Sequence, residues 1–553
     1  MEEVYKITLT DKSFLGVQKN TPLIEIAKII FPKPKRPILG ALVDNSINDL
    51  WEKPDRDCHI EFIDITHPDG AMIYVRGLCM ILAKANYEVF PNRKLKILHS
   101  ISKGLYCRWD CGTPMKSSDL ERLHRRMKEI TIKNSPFIGK ILSKEEAFKI
   151  FEAMDKKDKT ALIKFRQKDS MRVYFCDDYP DYFFGRLPPS TGVVDKFEIK
   201  LYPPGLILRY PNHYSPDELA PYEPQPQHAR IYKEYRKWGE ILEVCDLATL
   251  NTIIMNGKIR DLILVAEALH EKKIAAIADE VAKNMARIKI ILIAGPSSSG
   301  KTTFAQRLIV QLRVNGMKPI AISLDDYYLD NDKTPVDEHG KRDFDHVNAI
   351  DLELFNNQLQ KLLEGEKVII PRFDFAKGRR SEHQKEIQLN RRNILIVEGT
   401  HGLNPILSES IHPDNKYKIY VSPLTQLNMD NHNRIPTTEN RIIRRIVRDS
   451  QFRNYSALQT IQNWPMVRRG EERFIFPFQE EADIIFNSAL IYELSALKDF
   501  VEPLLKEIPQ NLPEYAEAKR LLSFTSNFLS IKTEGIPANS ILREFIGNTC
   551  FTH

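Results

Sequence analysis

Tyr5, Ile7 and Leu9 alternate with Lys6 and Thr8, the period-two pattern of a half-buried strand. Leu23, Ile26, Ala27 and Ile30 then recur at i, i+3, i+4 and i+7, one face of a short helix. Ile63 and Ile65 flank Asp64 and predict another strand. Residues 1–65 therefore read as a small α+β unit. Residues 66–227 are mixed, with a helix expected over Ser117–Lys133. They end in a run holding Pro211, Pro216, Pro221, Pro224 and Pro226, which reads as a domain edge. Residues 228–285 lack Pro and read as a helical linker, with Ile259, Leu262, Ala266 and Leu269 on one face. From Ile288 onward, short β-branched runs alternate with helical stretches, the sign of βαβ units. Strands are expected at Ile288–Ala294, Pro319–Leu324, Val368–Pro371 and Ile394–Val397, with a helix over Phe304–Arg313. The expected fold is multidomain: α+β in front, then an α/β domain over 286–553 with a parallel sheet and a C-terminal helical extension.

Composition narrows the class. At 553 residues there is room for roughly three or four domains. With 42% hydrophobic residues the chain is globular rather than disordered. Lys+Arg exceed Asp+Glu by 80 to 74, too weak a balance at this size to argue for nucleic acid or a membrane. Apolar runs such as Ile290–Ala294 fall far short of the ~20 residues of a membrane span. The first residues, Met-Glu-Glu-Val-Tyr-Lys, lack the basic flank and apolar stretch of a signal peptide. Seven scattered cysteines include one close pair, Cys107 and Cys111, with no second pair at zinc spacing. They read as structural or incidental thiols, and a cytoplasmic setting without a membrane partner is expected.

One motif carries specific chemistry. Ile288–Ala294 runs into Gly295-Pro-Ser-Ser-Ser-Gly300-Lys301-Thr302-Thr303, which fits G-x-x-x-x-G-K-[ST] with a strand before and a helix after. Chance gives on the order of 0.01 such matches in a chain of this composition. Gly295 and Gly300 allow a turn that aims backbone N–H groups at phosphate oxygens, and the helix N-terminus adds partial positive charge. Ser297, Ser298, Ser299 and Thr303 complete the expected ATP cradle. Lys301 suits the β- and γ-phosphates, and the Thr302 hydroxyl suits Mg²⁺.

The following strands point to the acceptor. Pro319–Leu324 ends in Asp325-Asp326-Tyr327-Tyr328. Ligands of a parallel sheet sit at the carboxyl ends of its strands, so Asp325 is placed to take a proton from an attacking hydroxyl. Asp345, within Phe344-Asp345-His346, suits sugar hydroxyls, whereas His346 by itself reads as structural. Val368–Pro371 leads to Phe373 and Phe375, paired aromatics able to sandwich a base. Glu398, directly after Ile394–Val397, stands where P-loop proteins place a carboxylate for Mg²⁺.

Together these residues resemble the uridine kinase and phosphoribulokinase family over about 288–500. The match rests on Asp325–Tyr328, Phe344–His346 and the Arg-Arg-x-x-Arg-Asp of Arg444–Asp449. The resemblance implies that Asp325 is the base, that Asp345 binds ribose and that Glu398 assists the metal. It also implies a lid helix whose Arg445 and Arg448 clamp the transferring phosphoryl group. The stretch 441–473 holds eight Arg (441, 444, 445, 448, 453, 468, 469, 473) against Asp449, Glu471 and Glu472, which suits charge developing in transfer. Tyr328, Phe373, Phe375 and Tyr455 complete the substrate set. Where the family reads a pyrimidine with Tyr, His and Arg, this chain has Phe373, Gly378 and Tyr455. Losing hydrogen-bonding readers weakens discrimination and leaves the base open.

Residues 1–65 resemble a TGS domain, and the following region resembles the second additional domain of threonyl-tRNA synthetases. Ser118–Glu121, Met127–Ile130 and the stretch Tyr179–Gly192 carry the second likeness. That family's editing site uses a His-x-x-x-His pair plus a Cys and a His. The aligned positions here are Arg76, Met80, Phe183 and Leu187, which can neither bind zinc nor activate water. The front half is thus expected to bind, regulate or support, with RNA contact open by fold analogy. The leading expectation is an ATP- and Mg²⁺-dependent kinase of a nucleoside 5′-hydroxyl, possible as a homo-oligomer. The alternatives are a kinase of another sugar or small metabolite, and an RNA- or ribosome-associated nucleotide sensor. Ile541, Leu542 and Phe545 read as a packing face that closes the rear domain.

Overall fold

The computed structural model describes residues 4–551 apart from 111, 338, 339, 341, 375, 376, 382–384, 391 and 426. Cys111 and Phe375 thus lie outside the described residues. The front unit runs β1 (Val4–Leu9), β2 (Phe14–Gln18), α1 (Leu23–Ile30), β3 (Gly40–Val43), β4 (Ser46–Asn48) and β5 (Cys58–Ile63). Its sheet has the order β2-β1-β5-β3-β4, and Leu23, Ile26 and Ala27 of α1 are buried, as their spacing requires.

The second unit follows with α2 (Pro68–Val89), β6 (Leu95–Ile101), β7 (Gly104–Trp109), α3 (Ser117–Lys133), β8 (Phe137–Ser143), α4 (Lys144–Ala153), α5 (Lys157–Lys164), β9 (Ser170–Cys176), β10 (Tyr179–Asp181), β11 (Glu198–Tyr202) and β12 (Gly205–Arg209). It holds two antiparallel sheets, β11-β12-β7-β6 and β10-β9-β8. Free Cys58, Cys79, Cys107 and Cys176 are buried, in keeping with structural thiols, whereas Cys245 and Cys550 are exposed.

Three helices come next: α6 (Pro226–Ile241), α7 (Leu247–Met255) and α8 (Ile259–Lys283). They are followed by β13 (Ile290–Ala294), α9 (Lys301–Val314), β14 (Lys318–Ser323), α10 (Leu352–Leu363), β15 (Val368–Ile370), β16 (Phe373–Asp374), β17 (Arg379–Arg380), β18 (Lys385–Ile387), β19 (Asn393–Glu398), β20 (Lys416–Ser422), α11 (Thr437–Phe452), α12 (Ala457–Phe474), β21 (Ile484–Asn487), α13 (Glu493–Lys506), α14 (Tyr515–Thr525) and α15 (Arg543–Ile546). Five strands form a parallel sheet in the order β14-β19-β13-β20-β21. Parallel sheets are covered on both faces, which explains why every residue of β13 is buried. Ile291 and Ile293 join a core with α8 and α9, while Ile290, Leu292 and Ala294 join a second core with α6 and α10. Helices α6 and α8 therefore share the core of the parallel-sheet half. The strand expected at Val368–Pro371 stands outside this sheet: β15 pairs antiparallel with β18, and its middle residue Ile369 is 54% exposed. A three-residue apolar run does not distinguish a central strand from an edge ribbon.

The two halves are joined by backbone as well as side chains. Ile97 N–H of β6 donates to Asn431 O at 2.8 Å, and Asn428 Nδ2 donates to Ile97 O at 2.8 Å. Lys159 of α5 bridges Asp181 (2.9 Å) and Asp430 (3.1 Å), all three essentially without solvent. No helix among the described residues is long and apolar enough to cross a membrane.

Candidate active site

Strand β13 delivers the chain into Gly295–Gly300 at the carboxyl edge of the sheet. Ser298 (φ 60) and Gly300 (φ 81) adopt left-handed backbone, which wraps the loop around its own N–H groups. A Cβ on Gly300 would lie 2.4 Å from Ile541 Cγ2, so glycine is required here for space as well as for φ. Ser298 and Ser299 are 2% and 1% exposed, and their hydroxyls have no hydrogen-bond partner among the described residues. Orphaned buried hydroxyls beside a lysine at a helix N-terminus fit a phosphate.

Helix α11 clamps this loop from outside. Arg441 Nε donates to Ser297 O at 3.0 Å, and Arg444 Nη1 to Ser298 O at 3.4 Å. Arg441 pairs with Glu471 and Arg444 with Glu493, all buried. Glu471 also accepts the Ser297 N–H at 3.0 Å, so that donor already has a partner. Several of the arginines expected to meet phosphoryl charge are thus holding the loop in shape. Arg445 differs: its Nη1 reaches Ser297 Oγ at 2.5 Å, and its charge bears on Asp345. Arg448 and Arg445 both pair with Asp449, at 2.8 and 3.2 Å.

Glu398 closes β19 next to the loop. Its Oε2 lies 3.5 Å from Thr302 Oγ1, and its Oε1 accepts from Ser323 Oγ at 3.2 Å. Burial pushes Glu398 up to about 7; Asp325 and Glu544 add to the rise, and Lys301 opposes it. Thr302 and Glu398 offer hard oxygen donors, which suit Mg²⁺. Among the described residues no cluster of three or more His, Cys, Asp or Glu is disposed to hold a metal.

The acceptor side gathers around Asp325, on the single helical turn Leu324–Tyr327 capped by Ser323. Asp345 lies under α12, where a Cβ on Gly470 would come within 2.5 Å of its own Cβ. Burial raises Asp345 to about 6, against the pull of Arg445, with Asp325 among the carboxylates that raise it. Tyr328 donates its hydroxyl to Phe344 O at 3.1 Å, and its ring lies 5.8 Å from Phe373. His346 caps a short turn through Nδ1, a structural role. Gly378 (φ 62) leaves no room for a reader side chain: a Cβ would sit 1.9 Å from Asn331 Nδ2. Asp325, Asp345, Tyr328 and Phe373 are thus brought together, whereas Tyr455 stands at the surface, 46% exposed.

Sequence reasoning missed one participant. Glu544 of α15 accepts hydrogen bonds from Thr303 N–H (3.2 Å) and Thr303 Oγ1 (2.9 Å), inside the expected phosphate cradle. It is separated from the loop by some 240 residues, and its neighbours Ile541, Leu542 and Phe545 signal packing alone.

In the front half, the four positions aligned with an editing site are filled. Met80, Phe183 and Leu187 are 0%, 3% and 1% exposed. The Arg76 guanidinium packs against Gly185, where a Cβ would lie 2.4 Å from its Cζ.

Comparison with known proteins gives two separate likenesses. Residues 290–493 match the Phosphoribulokinase / Uridine kinase family. The front region is similar to the threonine–tRNA ligase of Thermotoga neapolitana, 32% identical over 197 residues, 35% of this chain and 30% of that protein. It is also similar to the ligase of Francisella philomiragia, 28% identical over 194 residues, 35% of this chain and 31% of that one. The match thus spans less than a third of the ligases' length. Among solved structures, a putative fructose transport system kinase from Silicibacter sp. TM1040 is 18% identical, covering 38% of this chain and 98% of that one, with TM-score 0.27. A possible uridine kinase from Bacillus stearothermophilus is 18% identical, covering 38% and 96%, with TM-score 0.26.

Proposed function

We propose that the parallel-sheet half transfers the γ-phosphoryl group of ATP to the 5′-hydroxyl of a nucleoside. The observation that carries this reading is the convergence of Asp325 and Asp345 with Lys301 and Glu398 at the carboxyl ends of β13, β14 and β19. A nucleotide sensor needs no such acceptor carboxylates. Asp325 takes the hydroxyl proton as the oxygen attacks. Asp345 accepts hydrogen bonds from sugar hydroxyls and so fixes the attacking oxygen, while Tyr328 and Phe373 form the wall for a base. Lys301 and Arg445 balance the charge that builds on the transferring group. Held by Thr302 and Glu398, Mg²⁺ would neutralise phosphate oxygens.

A second reading, phosphorylation of another small hydroxyl compound, is favoured by the apolar Phe373 and the absent side chain at Gly378, which leave few groups to read a base.

The test is ADP release with a nucleoside panel, with phosphorus NMR to locate the phosphate. Uridine or cytidine should stimulate release and acquire a 5′-phosphate. Asp325→Asn should lower kcat by about 10²–10⁴-fold with ATP binding retained. Wild-type turnover in that variant would remove Asp325 from the reaction, and stimulation by sugars alone would move the acceptor class to the second reading.

A further inference from the structure

A cavity of about 1150 Å³ lies where the front half meets the parallel-sheet half, on the far side of the P-loop clamp. It exceeds the roughly 300–1,000 Å³ of ordinary small-molecule sites. Strands β6 and β7, helix α6 and the loop after β21 line it. Its walls carry aromatic rings in two groups. His99 lies on Tyr232 with centroids 3.5 Å apart and planes 11° apart, with Tyr106 beside it at 5.2 Å. Tyr235 and Trp238 form a second, tilted pair, with centroids 4.0 Å and planes 38° apart.

Two guanidiniums complete the lining, Arg108 from β7 and Arg236 from α6. The Nε of each is buried without a hydrogen-bond partner among the described residues. Arg108 and Arg236 come from different parts of the chain, and both line the same cavity. The acids of the lining are mostly engaged elsewhere. Asp110 pairs with Lys96 at 2.7 Å, Asp430 with Lys159, Glu493 with Arg444, and Asp246 caps α7. Glu240 lies 3.7 Å from Arg236 and is 69% exposed, and Glu243 is exposed. Arg236, itself 38% exposed, keeps only that loose ion pair with Glu240 among the described residues. Flat rings beside guanidinium Nε donors that make no hydrogen bond suit a planar base joined to an anion.

We propose that this cavity binds a nucleoside phosphate, its base against the aromatic rings and its phosphate on Arg108 and Arg236. Neither half holds the site alone, which gives the front half a binding role distinct from editing. The loop Asn487–Glu493 presents one side to this cavity and, through Ser488 and Glu493, holds Arg444 and the P-loop on the other.

The test uses full-length Lys301→Ala protein, so that the P-loop contributes little, and is independent of whether phosphoryl transfer occurs. AMP, GMP, CMP and UMP are titrated by calorimetry, with hydrogen exchange to locate the bound probe. At least one should bind saturably and protect amides of β6, β7 and α6. Arg108→Gln and Arg236→Gln should each weaken that binding by about tenfold, the scale of a lost charge-assisted hydrogen bond. Retained melting temperature in these variants shows that the fold is intact; if either fails to fold, Arg→Lys at the same position replaces it. Absence of binding by all four probes at millimolar concentration, protection confined to the P-loop, or affinity unchanged in folded variants would overturn the proposal.

Discussion

Glu398 ties acid–base chemistry to stability at a single residue. Its ordinary value of 4.5 is pushed up to about 7, so between these values the folded chain holds a proton that the unfolded chain has released. Its contribution to stability is therefore present at low pH and lost as pH rises through that window. Glu398→Gln should raise the melting temperature at pH 8, by roughly 3 kcal/mol of stability, and give no gain near pH 4. Turnover should fall in the same variant, because the neutral amide cannot replace a carboxylate beside Thr302. Thermal melts across pH 4–8 with parallel rates check both; equal melting temperatures at pH 8 would mean that the carboxyl carries no such strain. Asp325 and Glu398 were legible in the sequence because each stands at or just past the end of a parallel strand, and Lys301 because it closes the glycine-rich loop that leaves β13. Tyr455 was not: the family spacing located it in the chain, but the turn at Asn454 leaves its ring in solvent.

Elements were readable to the degree that their burial is one-sided. Helix α3 matches the expected Ser117–Lys133 at both ends, and it turns Leu123, Met127 and Ile130 inward on one stripe. Strand β13 was equally plain, since five consecutive buried apolar residues before a glycine turn have few other uses. The C-terminal segment was legible as packing but not as chemistry. Ile541, Leu542 and Phe545 are each 0% exposed and set α15 against the P-loop, and this docking is what carries Glu544 to Thr303. No local pattern encodes a contact between segments so distant in the chain. A carboxylate on those donors competes with any phosphate that would use them. Glu544→Ala should therefore tighten ATP binding by about tenfold, the worth of the charge-assisted bonds removed, with Glu544→Asp in between. Calorimetric titration of ATP would measure it, and unchanged or weaker affinity would show that the nucleotide leaves Thr303 alone.

At the scale of the molecule, the excess length ahead of the P-loop is built into its core. Helices α6 and α8 share apolar clusters with the parallel sheet, and Lys159, Asp181, Asp430 and His432 form one buried ionic knot across the two halves. Burial alone would raise Asp181, but Lys156, Lys159 and His432 hold it well below the usual carboxylate range. Lys159→Met leaves two carboxylates without their shared cation and should cost about 3–5 kcal/mol. A denaturant titration that finds less than about 1 kcal/mol, the worth of an exposed pair, would mean that water reaches the knot.

The pairing of Ile97 with Asn428 and Asn431 bears on how the protein comes apart. An edge strand of one half is hydrogen-bonded to a loop of the other, so neither can loosen without stripping backbone partners from its neighbour. Heat should therefore melt the chain in one cooperative endotherm rather than two, so that two segments with separate likenesses lose their structure as a single thermodynamic body.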